Sequence, residues 1–362
     1  SAVAAAGGQA PAPGTLPARL SYSPSDEITD FLQQHKNWFP ELEEEAARIR
    51  RDHALPRRML SDHLAEVLSR AHRVDIEYAQ PRLGSVVRRF DRAKNLLTLS
   101  PELGEQPLKF QLGAALGLIV LDESGLHERL ARDFRPRHAE TLKLIKIHLA
   151  NYFSGALLLP YEDFFREVQR TRYDIDVVAG IFEMTYEAVA HRVCNLSNPR
   201  RRGLPMHFLR ADIAGNISKR YSATGLKFAN AGSCGKWAVH LAFLNPSQIT
   251  RQYSQMPDGT TYFDFARVQL QPLGGSIVHG TAYSVGLGTL AENAKFLAYG
   301  LPITDMKREA VPTGISCRFC ERTDCNQRSA ASFRFAFSFD EYTKKDCFFS
   351  ALVTHDREEA PG

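Results

Sequence analysis

Three of the six cysteines in this 362-residue chain, Cys317, Cys320 and Cys325, fall within nine positions. Thiolates at this spacing can converge on one metal centre from a single loop. Sulfur ligands favour zinc or an iron–sulfur cluster over the hard cations that prefer oxygen. The alternative is a disulfide with one spare thiol, or three unrelated buried cysteines. We predict a metal-binding loop here.

A fourth sulfur ligand must come from elsewhere in the chain. Cys234 lies between glycines in the segment AGSCGKW, where the backbone can approach a cluster closely. Cys347 lies in a charged terminal segment, and Cys194 lies inside a predicted helix. We predict Cys234 as the fourth ligand, against the alternative of an ordinary buried cysteine. Three close cysteines with a distant fourth are compatible with an iron–sulfur cluster and with zinc, and the spacing does not separate them.

Motifs for catalysis are lacking. The sequence contains no Gly-x-Ser-x-Gly, no Walker loop, no His-Glu-x-x-His and no Gly-x-Gly-x-x-Gly that opens a helix. No nucleophile and base stand in a recognisable arrangement. We therefore predict that the chain is not an enzyme and has no catalytic residues.

Basic residues amid aromatic ones in the middle of the chain could converge on a polyanionic ligand such as a nucleotide or coenzyme A. The alternative, which the residues alone favour, is a solvated basic face with structural salt bridges. The residues concerned are Arg172, Tyr173, His191, Arg192, Arg210, Lys219 and Arg220.

Composition indicates a soluble globular protein with 44% apolar and 24% charged residues. The formal net charge of +4 does not by itself indicate a nucleic-acid partner. The sequence has no apolar run of membrane-spanning length and no signal-peptide pattern, so we predict a cytoplasmic protein without membrane contact. A reducing compartment also disfavours disulfides. Residues 1–20, rich in alanine, glycine and proline, are predicted to be a linker.

The elements that would position these residues divide into two halves, so the predicted fold class is α+β. Residues 21–205 show helical periodicity, with one short hairpin that turns at Asp91–Lys94. In residues 206–362, short segments of aromatic and β-branched residues alternate with glycine-containing turns, and we predict that they are strands. These segments are HFLRADIAGNISKRY, KWAVHLAF, TYFDFARVQL, GSIVHGTAYSVGLG and a final SFRFAFSFDEYT. This pattern predicts a β-rich antiparallel domain that carries the cysteine-ligated metal loop.

Several long segments together resemble the short-chain fatty acyl-CoA regulators, and within that group the propionate regulators most. The resemblance runs from about Leu20 to the last predicted strand. The segments that carry it are HLANYFSGALLLPY, RTRYDIDVVAGIF, AHRVCNLSNP, ADIAGNISKRYSATG, SCGKWAVHLAF, MPDGTTYFDFAR and CRFCERTDCNQRSA.

The resemblance implies a transcription factor with three parts: a helix-turn-helix domain, a helical domain similar to the IrrE/ImmA metallopeptidases, and a C-terminal sensory domain. It also implies a 4Fe-4S cluster, with zinc as the alternative, and a short acyl-CoA such as propionyl-CoA as effector. The regulated genes would serve the methylcitrate cycle. Regulators with helix-turn-helix domains often dimerise, so a homodimer is a further expectation.

Matched residue by residue, Cys317, Cys320 and Cys325 correspond to the family's cysteine triplet, and Cys234 to its SC-x-x-W-x-x-H motif. The helix-turn-helix is absent from this stretch, so we expect promoter DNA to be bound through a domain missing here. Where a related peptidase would carry His-Glu-x-x-His, this chain reads Ala114–Leu118, which can neither bind a catalytic zinc nor activate water. The helical domain is thus predicted to be a degenerate peptidase.

The resemblance also implies residues that contact coenzyme A. Positive side chains would hold its phosphates, and an apolar pocket would take the short acyl tail. Discrimination between chain lengths should be modest, because each methylene contributes about 0.8 kcal/mol. The predicted ligand-binding residues are Asn151, Tyr152, Tyr161, Tyr173, Arg192, Arg210, Lys219 and Arg220.

Overall fold

The structure, a computed structural model, describes residues 23–79, 86–228, 232–273, 276–300, 309–334, 341–342, 344 and 347. The predicted linker at residues 1–20 lies outside the described residues. In the described part, no helix has both the length and the apolar character needed to cross a membrane.

Helices dominate the first half, as predicted. Their bounds are α1 Pro24–Gln34, α2 Pro40–Asp52, α3 Ser61–His72, α4 Glu105–Ser124, α5 Leu126–Leu130, α6 Glu140–Leu158, α7 Tyr161–Arg170, α8 Ile175–Phe182 and α9 Tyr186–Val193. The chain enters α1 through a capping box in which the Ser23 hydroxyl accepts from the Asp26 N–H and the Asp26 carboxylate accepts from the Ser23 N–H. Proline in the first turn favours the starts of α1 and α2.

The centre of the helical half is the packing of α4 against α6. Gly117 of α4 faces the backbone of Ala150, and a Cβ on Gly117 would stand 2.8 Å from the Ala150 carbonyl oxygen. Gly113, one turn earlier, faces the Ser154 side chain, and a Cβ on Gly113 would stand 2.5 Å from the Ser154 Oγ. Glycine at these two positions allows the two helices to approach closely, and it thereby aligns the buried face of α6.

The predicted hairpin is confirmed. Strands β2 (Arg88–Asp91) and β3 (Leu96–Leu99) pair antiparallel across a turn, and the Asp91 carboxylate accepts from the N–H groups of Ala93 and Lys94. Strand β1 (Asp75–Tyr78) joins the other edge of β3 in parallel, which gives the order β1-β3-β2.

A larger sheet forms the second half and has the strand order β5-β4-β8-β7-β6-β9. Its strands are antiparallel except for the final β6–β9 pair. Their bounds are β4 His207–Asp212, β5 Ile217–Ser222, β6 Thr250–Gln255, β7 Thr261–Leu273, β8 Ser276–Leu290 and β9 Val311–Pro312. This sheet confirms the predicted α+β class, and the predicted domain boundary at residue 205 falls in the turn between α9 and β4.

The two faces of this sheet belong to two different cores, because neighbouring side chains on a strand point to opposite faces. On one face, Phe208, Phe265 and Leu287 continue the apolar core of the helices. On the other face, Leu209 and Ala266 belong to a smaller core that the short helix α10 (Ala238–Leu241) covers. That smaller core also contains Cys234 and Trp237.

Candidate functional site

The cysteine loop begins where β9 leaves the edge of the larger sheet. It contains a short 3-10 turn at Cys317–Phe319. The Cys234 N–H donates a hydrogen bond of 3.1 Å to the carbonyl oxygen of Ile315, so the segment before α10 lies beside this loop. Burial raises the pKa of the Cys234 thiol, and the neighbouring thiols of Cys317 and Cys320 raise it further. The structure thus brings Cys234 into the neighbourhood of the triplet.

Backbone geometry around the loop leaves room for sulfur. Cys320 is buried, and a Cβ on Gly314 would stand 2.6 Å from its Sγ. Only glycine fits this position without displacing the thiol. The Cys317 Sγ lies 3.4 Å from the Ser329 hydroxyl and 3.5 Å from its N–H, and both donate to it.

Arg328 and Arg322 stabilise the conformation of the cysteine loop. The Arg328 guanidinium is 3% exposed and donates to the carbonyl oxygen of Cys317 at 2.7 Å and to those of Cys320 and Arg322. Arg322 in turn donates to the carbonyl oxygens of Thr313 and Gln255, at 2.8 and 2.7 Å. An arginine inside a cysteine-rich segment gives no sequence signal for this role, because its acceptors are backbone carbonyls.

The four predicted ligands are cysteine thiols, which are the ligands that zinc and iron–sulfur clusters prefer. Cys234 and Cys320 are buried, and Cys317 and Cys325 are half-buried in the same loop. Among the residues that the structure describes, no three His, Cys, Asp or Glu side chains already stand together as a metal-binding group. The assignment of these four cysteines as ligands stays a prediction, supported by donor chemistry and by the proximity of Cys234 to the loop.

The predicted ligand-binding residues fall into separate groups, and the first is buried in the helical half. Arg192 of α9 is 1% exposed and makes a two-pronged ion pair with Glu43 of α2, with N–O distances of 2.6 and 2.8 Å. The Tyr152 hydroxyl donates to the same carboxylate at 2.6 Å. Burial alone would lower the Arg192 pKa, but the charge and hydrogen bonds of Glu43 outweigh it and raise that pKa. This network already satisfies the charge of Arg192.

Tyr161 and Tyr173 use their hydroxyl groups to fix the chain between α9 and β4. Tyr161 donates to the carbonyl oxygen of Arg201 at 2.8 Å and accepts from the N–H of Asn198. Tyr173 accepts from the N–H of Leu204 at 2.8 Å. The remaining residue of this half, Asn151, is half-buried on α6.

The second group lies where β4 and β5 meet α9. The Glu187 carboxylate accepts from Arg210 at 3.0 Å and from Lys219 at 2.5 Å. The Arg210 guanidinium also lies 4.5 Å from the centre of the Tyr283 ring. Arg220 pairs instead with Asp26 of α1. The contacts of these cations with coenzyme A stay a prediction; in this structure each cation has a carboxylate partner.

Two histidines adjoin this group. The His148 and His191 rings are 6.0 Å apart, and His191 packs edge-on against Phe208. Burial, with the nearby charge of Lys219, lowers the pKa of His148 to about 4 and that of His191 to about 3. Both rings are therefore neutral near pH 7, and together with Phe208 they form an uncharged wall beside the cations.

The segment aligned with a peptidase metal helix is a packing surface. Ala114 and Ala115 are fully buried in α4, and Leu118 packs against the main core. None of the three side chains can ligate a metal or transfer a proton.

Comparison with known families matches both halves of the chain. Residues 71–193 match the family described as the IrrE N-terminal-like domain. Residues 195–349 match the family described as the short-chain fatty acyl coenzyme A regulator, C-terminal. The second range contains the larger sheet and the predicted cysteine ligands.

Curated relatives agree with this match over most of the chain. RamB, an HTH-type transcriptional regulator of Mycobacterium tuberculosis, is 35% identical over 88% of this chain and 68% of its own length. PrpR of the same organism is 35% identical over 84% of this chain and 63% of its own length. The propionyl-CoA carboxylase regulator of Cereibacter sphaeroides is 36% identical over 86% of this chain and 66% of its own length.

A solved structure has the same fold. A Mycobacterium tuberculosis transcriptional regulator superimposes with a TM-score of 0.82 and 33% sequence identity, and the match covers 91% of this chain and all of that one. With both family matches, the curated relatives and the solved structure in agreement, the chain belongs to the short-chain fatty acyl coenzyme A regulator family.

Proposed function

We propose that this chain is the effector-sensing part of a transcriptional regulator of propionate and short-chain acyl-CoA metabolism. The support is the regulator match over residues 195–349 and the relatives that are named as regulators. The relatives are longer than the region that aligns with this chain, and promoter DNA would be bound by a helix-turn-helix part of the whole protein. A ligand can regulate only if it binds two arrangements of the protein with different affinity.

The observation that carries the proposal is the hydrogen bond between Cys234 and Ile315. It sets a segment of the smaller core beside the cysteine loop, so one site can join two parts of the sensory half. Cys234, Cys317, Cys320 and Cys325 would hold a 4Fe-4S cluster, with zinc as the alternative. When bound, a cluster would add a redox-active cross-link between the loop and this segment.

The effector in this proposal is a short acyl-CoA, such as propionyl-CoA. Arg210, Lys219 and Arg220 supply positive charge on β4 and β5. Phosphate groups carry more charge than one carboxylate, so they can compete with Glu187 for Arg210 and Lys219. Lys219 is exposed and needs no rearrangement of the core to reach a ligand.

A zinc-dependent peptidase of the IrrE/ImmA type is the second candidate, because residues 71–193 match that domain. The buried alanines of α4 argue against it, since they provide neither a zinc ligand nor a general base. A casein digestion assay with and without a chelator separates the two functions. Chelator-sensitive cleavage would favour the peptidase.

Two measurements test the proposal. Anaerobically purified protein should contain iron and sulfide and should show visible absorption, whereas zinc without sulfide would indicate a structural zinc module. Calorimetric titration with propionyl-CoA should show binding, with free propionate as the control. Failure of propionyl-CoA to bind at saturating concentration would remove the sensor function, whatever the metal content.

A further inference from the structure

The turn between α9 and β4 presents three consecutive arginines, Arg200, Arg201 and Arg202, and all three are exposed. The surrounding segment, residues 195–206, contains no acidic residue. Arg201 pairs with Glu162 of α7 at 2.7 Å, whereas neither of the other two has a carboxylate partner in the part of the chain that the structure describes. The positive charge of this turn is therefore only partly compensated.

The backbone of this turn, residues 198–202, is fixed by a tyrosine from the core, and we call it the arginine turn. The Tyr161 hydroxyl donates to the carbonyl oxygen of Arg201 at 2.8 Å and accepts from the N–H of Asn198 at 3.0 Å. The Asn198 side-chain oxygen accepts from the Arg200 N–H at 3.0 Å. Since Tyr161 is only 8% exposed, the arginine turn is anchored to the packed helices.

The exit from the arginine turn is fixed as well. The Gly203 N–H donates to the carbonyl oxygen of Leu196 at 2.8 Å, and a Cβ on Gly203 would stand 2.8 Å from the Leu196 Cβ. The next residue, Leu204, donates from its N–H to the Tyr173 hydroxyl. The arginines thus project from an ordered backbone, which reduces the entropy that a ligand must overcome when it binds.

The surface around the arginine turn favours a phosphate ligand over a protein. No large apolar side chain within residues 178–212 is exposed, whereas protein interfaces place apolar and aromatic side chains at their centre. A guanidinium group binds phosphate through two parallel hydrogen bonds. The pair of Arg201 and Glu162 does not prevent this, because exposed ion pairs of this kind contribute little and a phosphate can replace the carboxylate.

We propose that the arginine turn binds the phosphate backbone of double-stranded DNA, as a second contact outside the helix-turn-helix part, an inference that rests on the function proposed above. Duplex DNA carries one negative charge per roughly 1.7 Å of its axis, so neighbouring arginines can each reach a phosphate. The Asn195 side chain, three residues before the turn, donates to the carbonyl oxygen of Asn37 at 3.0 Å. This contact sets the turn beside the end of α1, the helix that would follow the helix-turn-helix part.

The experiment measures the fluorescence anisotropy of a short labelled duplex, titrated with this chain at several salt concentrations from low salt upward. In the wild type, the logarithm of the binding constant should fall linearly with the logarithm of the salt concentration. The double variant Arg200→Gln, Arg202→Gln loses two phosphate contacts, so this slope should become shallower by about 1.8. The loss should be the same for a duplex of unrelated sequence, because backbone contacts carry no sequence information.

A second double variant, Arg89→Gln, Arg132→Gln, is the matched control. Both of its arginines are exposed and have no carboxylate partner among the described residues, and the variant removes the same two charges elsewhere in the fold. It should keep nearly the wild-type slope. Conversely, Glu162→Gln releases Arg201 and should tighten DNA binding, whereas Glu128→Gln, at an exposed position of α5, should tighten it less. Thermal midpoints verify that all variants are folded.

Three outcomes would overturn the inference. The first is a wild-type chain that does not bind the duplex even at low salt. The second is an equal change of slope in the two double variants, which would show that total charge alone decides binding. The third is a preference of the arginine turn for polyglutamate, with DNA binding unaffected in the Arg200→Gln, Arg202→Gln variant, which would indicate an acidic protein as partner.

Calorimetric titration with propionyl-CoA separates this inference from the function on which it rests. The Arg200→Gln, Arg202→Gln variant should bind propionyl-CoA as the wild type does. If the variant loses propionyl-CoA, the arginine turn belongs to the effector site and the inference is wrong. If the wild type binds DNA through the turn but binds no acyl-CoA, the sensor function fails and the DNA contact stands.

Discussion

Arg192 and Glu43 form a two-pronged ion pair that links α9 to α2 across 149 positions of the chain. The Arg192 side chain also donates from Nε to the carbonyl oxygen of Leu159 at 3.1 Å. Its guanidinium carbon stands 5.7 Å from the ring centres of both Tyr152 and Tyr161. The pair thus ties the last helix before the larger sheet to the early helices.

Removing one partner of this pair should be strongly destabilising. Glu43→Leu leaves the Arg192 charge buried without compensation, and we expect a loss of about 3–5 kcal/mol in the free energy of unfolding. Urea denaturation measures it. Glu45→Ala is the control, because its partner Arg48 is exposed and such pairs contribute at most about 1 kcal/mol. Equal losses in the two variants would contradict a special role for the buried pair.

The contact between α4 and α6 should not tolerate one added methyl group. Gly117→Ala would set a Cβ 2.8 Å from the Ala150 carbonyl oxygen and 3.0 Å from the Phe153 ring. We expect a loss of about 1–3 kcal/mol in unfolding free energy, from overpacking. Gly180→Ala, with open space around it, should instead stabilise its helix by up to about 1 kcal/mol. Thermal or urea unfolding tests both; a neutral Gly117→Ala would show that the helices can separate freely.

Acid should destabilise the fold through His148 and His191. Their pKa values fall from 6.5 to about 4 and about 3 in the folded protein, so both stay neutral there while the unfolded chain takes up protons. Stability is therefore full above pH 6.5 and declines as the pH falls below it, by about 1 kcal/mol per histidine and pH unit at first.

Unfolding free energies at about pH 7.5 and about pH 5.5 measure this decline, which His191→Gln should reduce by roughly half. The carboxyl of Glu27 adds a further loss below pH 4.5: hydrogen bonds from Thr141, Arg137 and His138 outweigh its burial and lower its pKa to about 2. A stability that is flat between pH 7.5 and 5.5 would contradict neutral, buried histidines.

Serine substitution of the cysteine triplet should abolish metal binding. In the triple variant of Cys317, Cys320 and Cys325, we expect both metal content and thermal midpoint to fall, because the metal stabilises only the folded state. Elemental analysis and calorimetry provide the readout. Cys194→Ala, far from the loop in the helical core, should retain its metal. Unchanged metal content and midpoint in the triple variant would contradict the metal site.

Local patterns predicted much of the fold. The hairpin at Asp91–Lys94 and the strands predicted within residues 207–221, 261–270 and 276–288 are confirmed because their signals lie in adjacent residues. The prediction of a strand at residues 236–243 is wrong: this segment forms α10 and a 3-10 turn, and its apolar residues pack in the smaller core instead of pairing in the sheet. The last predicted strand, at residues 332–343, lies largely outside the described residues. The buried role of Arg192 could not be predicted from the local pattern, which shows its charge but not the distant carboxylate of Glu43. Long-range pairing decides whether an arginine faces a ligand or the core.

The candidate site, like the fold, could be predicted from the sequence only in part. Spacing alone indicates the cysteine loop, but the contribution of Arg328 depends on carbonyl oxygens that only the folded loop presents. In the larger sheet, His207 of β4 and Asp264 of β7 are hydrogen-bonded although they are 57 positions apart, and no motif marks the pair. Such pairs become visible only once the register between strands is known.

The position of Trp237 provides the protein with a built-in optical probe. The chain has two tryptophans, Trp38 in the helical half and Trp237 three residues after Cys234. The Trp237 indole is buried in the smaller core next to α10, in edge-on contact with the ring of Phe228. In a Trp38→Phe background, the emission of this single fluorophore would report on changes in the smaller core and in the neighbouring cysteine loop without any attached dye.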